Sequence, residues 1–277
     1  MHSVSLLIPA SLLIGSAAFA QAYSESFEGG SNPSGWSFGA PNEGPTTPGG
    51  VIGTWHYRAT GLDTTIPFLR CAANATGPTG NFRARRVGMI STCLRVDATD
   101  FPVSGLPPAV ILISLNGTPA DPSDDWGAYA LSGRGLGPTG EWRRHLIWLD
   151  PTVATPSPGW QFIQFGPNAP ANPSWSALVT QVDRLEFSFG DPSLFYIFQM
   201  WTVSADAIWL SPGLCYPNCD GSTVTPFLNV NDFVCFVNLF ATGDPRANCD
   251  GSTVVPALNV NDFNCFNGTF ASGCSAP

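Results

Sequence analysis

One sequence unit occurs twice near the end of this 277-residue chain. The first copy runs from Asn218 to Phe233 and the second from Asn248 to Phe263, and both contain Asn-Cys-Asp-Gly-Ser-Thr-Val followed by Leu-Asn-Val-Asn-Asp-Phe. Oxygen-bearing side chains alternate beside a glycine, and an Asn-Asp pair then leads into an aromatic pattern of helical spacing. This order is typical of a calcium loop that leads into a helix, so it predicts a small module of two loop–helix repeats.

The region before the repeats has the pattern of strands and turns. Leu185, Phe187 and Phe189 alternate with polar residues, and Trp201, Val203 and Ala205 do the same. The chain contains 29 Gly and 26 Pro, which interrupt regular structure and favour turns over long helices. These features predict a mainly β protein, a jelly-roll β-sandwich at 21–210 followed by a small α-helical module of two calcium-loop–helix repeats at 211–277.

Residues 1–20 have the pattern of a secretion signal. An apolar run from Val4 to Ile14 is followed by small residues and by Ala18-Phe19-Ala20, which fits signal peptidase. The alternative is an uncleaved membrane anchor, but this stretch is shorter than the roughly 20 apolar residues that a span needs. We therefore expect a secreted or cell-surface protein with no transmembrane segment after cleavage.

Charge and motifs limit the function classes. The net charge of −9 argues against nucleic acid as a partner, because that ligand needs a basic surface. The chain has neither the Glu-x-Asp-x-x-Glu strand of laminarinase-type glycanases nor a Gly-x-Ser-x-Gly elbow. We therefore expect a non-catalytic protein. The alternatives are a glycan-active hydrolase, which needs two carboxylates roughly 5 to 10 Å apart, and a surface-coat protein without a ligand.

The ends of the N-terminal region carry a resemblance to a known fold. Glu25-Ser26-Phe27-Glu28-Gly29, Gly35-Trp36, Val182 to Phe187 and Asp206-Ala207-Ile208 resemble secreted jelly-roll domains of the laminin-G or carbohydrate-binding type. The resemblance implies a β-sandwich that binds a polysaccharide. Planar aromatic side chains support the same interpretation, although large aromatic residues also fill cores. The tryptophans considered for this role are Trp36, Trp55, Trp126, Trp142, Trp148, Trp160 and Trp175.

Eight cysteines in a secreted chain predict four disulfides. Cys71 and Cys93 stand apart from the others and are expected to be bonded. The equal 16-residue separations favour Cys219 with Cys235 and Cys249 with Cys265, each within its own copy. Cys215 and Cys274 bracket the module and could close its ends, while crossed pairings between the copies stay open.

The two copies resemble dockerin repeats, in particular the cysteine-containing dockerin-like modules of planctomycete secreted proteins. The resemblance covers Leu214 to Cys274 and implies two calcium-loop–helix units that pack face to face. The ligands that it implies for Ca²⁺ are Asn218, Asp220, Ser222, Asn229 and Asp232 in the first loop, and Asn248, Asp250, Ser252, Asn259 and Asp262 in the second. Only two carboxylates serve each site, so weak affinity is expected. A disulfide-tied helical hairpin without metal is the alternative.

The resemblance also implies a docking partner, a cohesin-like or cell-surface protein. Val230-Asn231 and Val260-Asn261 stand at the two helix entries, the region that contacts the partner in dockerins. Because the two pairs are identical, they would permit two docking orientations related by a half-turn. The helices themselves are predicted from Phe233, Phe236 and Phe240 in the first copy, whose spacing repeats in the second.

Overall fold

The computed structural model describes residues 23–73, 75, 77–157, 159–212, 217–219, 226, 228–243, 247, 249, 256 and 258–272. The predicted signal segment lies outside these residues. The strands are β1 (Tyr23–Glu25), β2 (Glu43–Thr46), β3 (His56–Thr64), β4 (Phe68–Arg70), β5 (Val87–Thr99), β6 (Ala109–Ser114), β7 (Trp126–Leu131), β8 (Arg143–Trp148), β9 (Trp160–Gln164), β10 (Arg184–Ser188) and β11 (Gln199–Pro212).

The helices are α1 (Phe82–Arg85), α2 (Trp175–Thr180), α3 (Val230–Ala241) and α4 (Val260–Ser272). Ser174 caps α2, because its hydroxyl oxygen accepts a hydrogen bond from the Ala177 N–H at 3.3 Å. Trp175 and Leu178 of this helix point into the core of the sandwich. Among the helices of the described residues, none combines the length and the apolar character that crossing a membrane requires.

The strands form two antiparallel sheets, which confirms the predicted mainly β sandwich. Sheet A contains β2, β3, β11, β5 and β8 in that order, and β1 also pairs with β11. Sheet B contains β4, β10, β6, β7 and β9 in that order. Consecutive strands in space are rarely consecutive in the chain, so the sandwich is held together by contacts between distant segments.

The core lies between the two sheets. Strand alternation supplies it: Leu185 and Phe187 of β10 face inward from sheet B, while Trp201 and Val203 of β11 face inward from sheet A. Trp36 is also fully buried and packs with its ring centroid 5.6 Å from that of Phe187. Several large aromatic side chains therefore fill the sandwich, as a domain of this size requires.

The C-terminal helices pack through their aromatic faces, as the helical spacing predicts. Phe236 and its counterpart Phe266 stack with centroids 4.1 Å apart and planes at 8°. Phe233 meets its own counterpart Phe263 edge to face at 5.7 Å. Phe233 also contacts Phe266, and Phe236 contacts Phe263, so the contacts are reciprocal. Such reciprocity is the mark of a local two-fold arrangement of the two copies.

Two of the predicted disulfides are confirmed. Cys219 bonds to Cys235 with their Cα atoms 5.8 Å apart. Cys249 bonds to Cys265 with a Cα separation of 5.7 Å. The other two cysteines predicted for this module, Cys215 and Cys274, lie outside the described residues.

The predicted disulfide at Cys71 and Cys93 is wrong, because both are free and buried. Cys71 lies in the core between the sheets, where its sulfur accepts a hydrogen bond from the Leu185 N–H at 3.3 Å. Cys93 lies on the other side of sheet A, in a cluster with Ala207 and Trp209. The backbone of sheet A therefore separates the two side chains, which a disulfide would have to bring within bonding distance.

Cys71 and Cys93 should resist alkylation in the folded protein. Burial raises the pKa of both thiols to about 11, so little thiolate is present at neutral pH. Denaturant without reductant should make both react with iodoacetamide, as measured by mass spectrometry of their peptides, while Cys219 and Cys235 stay unlabelled. Recovery of a cross-linked peptide that joins Cys71 to Cys93 would contradict the assignment.

Candidate functional site

The outer face of sheet A carries an aromatic stripe along its edge strand, β8. Ile147 and Leu149 pack into the inter-sheet core, so the residues that alternate with them project to the outer face. We call these outward side chains the edge stripe: Trp142, Arg144, Leu146 and Trp148. Trp142 directly precedes β8, and six positions of extended chain place its Cα atom roughly 20 Å from that of Trp148.

Trp142 is held in a fixed orientation by its neighbours. The Arg95 guanidinium lies over the indole ring, 4.4 Å from its centroid. The His56 ring meets it edge to face, with centroids 5.7 Å apart. The indole N–H donates to the Gly49 carbonyl oxygen at 2.9 Å. The ring is therefore oriented before any ligand arrives, which lowers the entropy cost of binding.

Charged groups beside Trp142 form a network around Asp97. Its carboxylate pairs with Arg95 at 2.6 Å and with Arg58 at 3.5 Å, and it accepts a hydrogen bond from the Ser204 hydroxyl at 2.6 Å. Arg58 is the more exposed of the two arginines, at 38% of its side chain against 15% for Arg95. Arg58 is thus the member of the network best placed to meet a ligand.

His56 is an uncharged part of this surface at neutral pH. Burial lowers its pKa to about 4, and the neighbouring Arg95 guanidinium acts in the same direction. The two side chains approach with Arg95 Nη2 3.3 Å from His56 Nε2. A histidine with so low a pKa is a packing and orienting group here.

Asp206 anchors the segment 49–55 to the outer face of sheet A. Its Oδ2 atom accepts hydrogen bonds from the N–H groups of Val51 at 2.7 Å and Ile52 at 3.1 Å. Its Oδ1 atom accepts from the Ala207 N–H at 2.6 Å. Ala207 has a φ of 53° beside an irregularity in the β11–β5 pairing. A bulge of this kind re-aims the side chains next to it.

Glu28 holds the other end of the same segment, accepting from the N–H groups of Thr54 at 3.1 Å and Trp55 at 3.0 Å. Burial raises the pKa of Asp206 to about 7 despite its N–H donors, and the charge of Glu28 adds to the rise. Within the described residues, no group of three or more His, Cys, Asp and Glu side chains is placed to hold a metal ion.

A small apolar cluster lies against segment 49–55. Its buried members are Cys93, Ala207 and Trp209, and Val51, Ile52 and Trp142 pack against it. The Arg144 guanidinium covers Trp209 at 4.2 Å from the ring centroid. Stacked Arg–Trp pairs thus occur twice on this face, and both stiffen it.

The tryptophans considered for glycan contact divide into two groups. Trp36, Trp126, Trp160 and Trp175 are buried in the core between the sheets. Trp55 packs partly against the same core. Trp142 and Trp148 are half-buried on the outer side of β8, and they share the edge stripe.

Three of the carboxylates buried in the sandwich have structural partners, whereas the Oδ1 atom of Asp125 is buried without a hydrogen-bond partner. Glu186 accepts from Arg70 at 3.0 Å and from Arg184 at 2.8 Å. Asp183 accepts from the Leu115 N–H at 2.8 Å, and Glu25 accepts from the Phe27 N–H at 3.2 Å. Each of these groups stabilises the fold where it stands.

The C-terminal helices begin with the same cap in both copies. Asn229 accepts a hydrogen bond from the Asn231 N–H at 2.8 Å, and Asp232 accepts from the Asn229 N–H at 2.8 Å. Asn259 and Asp262 repeat this arrangement at the same distances. The caps satisfy N–H groups at the helix start and place a fully buried carboxylate at each helix N-terminus.

Half of the predicted calcium ligands fall within the described residues. Asn218, Asn229, Asp232, Asn259 and Asp262 are described, and Asn218, Asp232 and Asp262 are buried. Asp220, Ser222, Asn248, Asp250 and Ser252 lie outside the described residues. The described members fit a cation in their chemistry, since Asp232 and Asp262 supply carboxyl oxygens and the asparagines supply amide oxygens. Calcium binding stays a prediction.

The predicted docking residues lie at the surface. Val230 is 71% exposed and Val260 is 68% exposed, and Asn231 and Asn261 beside them are exposed as well. The two pairs therefore occupy equivalent positions in the two copies. Their predicted role in binding a docking partner stays a prediction.

Sequence reasoning missed the charged part of the outer face. In β5, Cys93, Arg95 and Asp97 alternate with the inward Leu94 and Val96. This alternation would have placed Arg95 and Asp97 on one face, although not beside Trp142. Arg95 and Trp142 come together because β8 and segment 49–55 both lie close to β5. This arrangement depends on contacts between distant parts of the chain, which a local pattern does not show.

Comparisons with known proteins give similarities of structure only. No protein-family model matches the chain, and no curated protein matches it either. An exo-beta-agarase matches with a TM-score of 0.41 and 11% identity. The match covers 69% of this chain and 25% of the agarase. A family 11 carbohydrate-binding module from Clostridium thermocellum, in complex with a beta-1,3-1,4-mixed-linked tetrasaccharide, matches with a TM-score of 0.38 and 12% identity, covering 70% of this chain and 96% of the module.

The CBM22-2 xylan-binding domain from Paenibacillus barcinonensis matches with a TM-score of 0.37 and 12% identity, covering 69% of this chain and 99% of the domain. At such TM-scores and identities, these similarities do not assign a function to the chain. A function has to be inferred from the geometry of the chain's own surfaces.

Replacing Asp206 with asparagine should change how stability depends on pH. The folded-state pKa of about 7 lies above the unfolded value of 3.8, so the folded protein keeps this proton longer as the pH rises. In chelating buffer, the free energy of unfolding of the native protein relative to Asp206→Asn should fall by about 2 to 4 kcal/mol between pH 4 and pH 8. Urea melts at several pH values measure it, and parallel curves for the two proteins would contradict the assigned pKa.

Proposed function

We propose that this chain is a secreted, non-catalytic polysaccharide-binding protein. Its β-sandwich binds the glycan on the outer face of sheet A, and its C-terminal module, dockerin-like and calcium-binding, attaches it to a cohesin-like or cell-surface protein. The observation that carries the glycan-binding part is the edge stripe, where Trp142 and Trp148 share one face of an edge strand.

The spacing and setting of the two rings support a chain-like ligand. Indole rings stack on the apolar faces of sugar rings, and two tryptophans with Cα atoms roughly 20 Å apart suit an extended polymer better than a single sugar. β8 is the last strand of sheet A, so an extended ligand can pass along it without meeting a further strand.

Polar groups beside the stripe supply the second requirement of a glycan site. Arg95 lies over the Trp142 ring, and its ion pair with Asp97 links it to Arg58. Sugar hydroxyls pair well with such groups, and specificity in ligand sites comes from a few placed polar atoms beside an apolar surface. A network that is already assembled needs little reorganisation on binding.

Binding is favoured over hydrolysis by the way in which five carboxylates of the sandwich are engaged. A glycosidase needs one carboxyl group free to transfer a proton and a second one free to act as base or nucleophile. Glu186, Asp183, Asp206 and Glu25 are engaged by arginine side chains or backbone N–H groups. Asp97 is engaged by two arginines beside the stripe.

The C-terminal module supports an attachment role through its symmetry and its charge. Buried Asp232 and Asp262 stand at equivalent helix N-termini, and a cation bound beside each would neutralise them. Val230 and Val260 are exposed at the same ends of the helices. Exposed apolar side chains on a disulfide-tied helix pair suit contact with a protein partner.

Removing both rings of the edge stripe should weaken glycan binding. Trp142→Ala with Trp148→Ala should weaken the affinity for the best polysaccharide by at least about tenfold, since each stacking contact contributes on the order of 1 kcal/mol beyond its buried area. Affinity electrophoresis and depletion assays against soluble and insoluble glucans, xylans and galactans measure it.

A matched control for this test lies on the other sheet. Phe165 is an aromatic residue with 41% exposure next to β9, and Phe165→Ala should leave the affinity unchanged. Trp148→Ala alone keeps the Trp142 contacts and checks that the loss does not come from unfolding. Equal affinity of the native and doubly substituted proteins would remove the stripe from the site.

Calcium should bind the full-length, disulfide-intact chain with a Kd of about 10⁻⁴ to 10⁻³ M per module site, because two carboxylates serve each loop. Calorimetry should lose one module site in Asp232→Asn and both in the double variant with Asp262→Asn. Asparagine still accepts the capping hydrogen bond, so the helices should remain. Asp63→Asn, on β3, is the control. Identical heats for all these proteins would leave a helical hairpin tied by disulfides alone.

A further inference from the structure

The loop between β10 and β11 exposes an unusual amount of apolar surface. Its large side chains reach solvent together with a neighbour from the loop after β5. We call this set the apical patch: Leu194 (59% exposed), Phe195 (92%), Ile197 (58%), Phe198 (72%), Met200 (44%) and Phe101 (51%). Phe101 belongs to it because the preceding Asp100 accepts a hydrogen bond from the Met200 N–H at 2.9 Å.

The loop is held in this outward-facing form by its own contacts. Asp191 accepts from the Ser193 N–H at 2.9 Å and closes a turn, and its own N–H donates to the Tyr196 hydroxyl oxygen at 3.0 Å. Tyr196 packs against the inter-sheet core, while Gln199 is buried and accepts from the Thr99 hydroxyl at 3.0 Å. Tyr196 and Gln199 therefore anchor the loop from the inner side, while the apolar side chains between and beside them face solvent. The exposure of these side chains is a property of the fold.

The size of the patch matches one side of a protein interface. At about 150 to 250 Å² for a whole aromatic side chain, its exposed parts sum to on the order of 600 Å². A standard interface takes about 800 Å² from each partner, including a polar rim. A patch of this size lies at the upper end of what a monomeric protein exposes.

The patch and the point where the chain leaves the sandwich lie at opposite ends of β11. The patch adjoins Gln199, where the strand begins, and the module follows Pro212, where it ends fourteen residues later. Extended chain of this length covers roughly 45 Å. Two copies can therefore meet through their patches at the end of the sandwich away from the point where each chain continues to its module.

We infer that the apical patch joins two copies of this chain in a two-fold dimer. A surface that is apolar throughout is complementary to itself, which a two-fold interface requires. The acidic rim, Asp63, Asp100 and Asp191, opposes this only weakly, because charges are screened beyond about 8 Å at physiological salt. The net charge of −9 disfavours an anionic membrane as the alternative occupant. This inference stands apart from the proposed glycan site.

Sedimentation velocity on the full-length protein tests the dimer. The sedimenting mass should double as concentration rises, and the dimer should strengthen between 0.05 and 0.5 M NaCl as salt screens the rim. Phe195→Ser with Phe198→Ser should raise the concentration of half-dimerisation at least tenfold. Both side chains are exposed, so these changes leave the core intact, and Phe165→Ser should have no effect.

Other outcomes would overturn the inference. A monomer at every concentration and salt, or a dimer that the two substitutions leave unchanged, excludes this interface. A dimer lost in Val230→Ser with Val234→Ser assigns the contact to α3 instead. A monomer that binds phosphatidylcholine vesicles through Phe195 and Phe198 assigns the patch to lipid.

Discussion

The pairing of β11 is the interaction on which both faces of sheet A depend. This fourteen-residue strand pairs with β1, β3 and β5. Its inward residues are Trp201, Val203 and Ala205 before the bulge, but Ile208 and Leu210 after it, so the alternation shifts by one position. The same shift turns Trp209 to the outer face beside Asp206. One irregularity thus completes the core and creates the anchor for segment 49–55.

The elements that the sequence predicts are those whose signal is local. Alternation at Leu185 and Phe187 identifies β10, because each inward side chain is two positions from the next. Helical spacing at Phe236 and Phe266 identifies both α3 and α4 and the faces by which they pack. Repetition favours the disulfide pairing within each copy, but equal separations also fit a crossed arrangement, and it is the structure that pairs Cys219 with Cys235 and Cys249 with Cys265.

The features that local patterns do not predict depend on which face a side chain takes. Trp36 and Trp148 look alike in the sequence, yet Trp36 fills the core and Trp148 lies outside it, because contacts between distant segments decide which side chains are buried. Cys71 and Cys93 are separated for the same reason, on opposite sides of sheet A. Composition does not predict the exposed apical patch either. An apolar run such as Leu194 to Phe198 is typical of a buried strand. Its exposure becomes clear only from the structure, in which Tyr196 and Gln199 are the residues that face inward.

Segment 49–55 links the stability of the sandwich to the geometry of the edge stripe. The Gly49 carbonyl oxygen accepts from both the Trp142 indole and Arg95, while Asp206 binds the N–H groups two and three positions further on. The path between them requires glycine at position 50, where a Cβ atom would lie 2.1 Å from the Trp55 carbonyl oxygen. A change at Asp206 therefore reaches Trp142 through three residues of backbone, and the buried carboxylate serves the orientation of the ring as well as the fold.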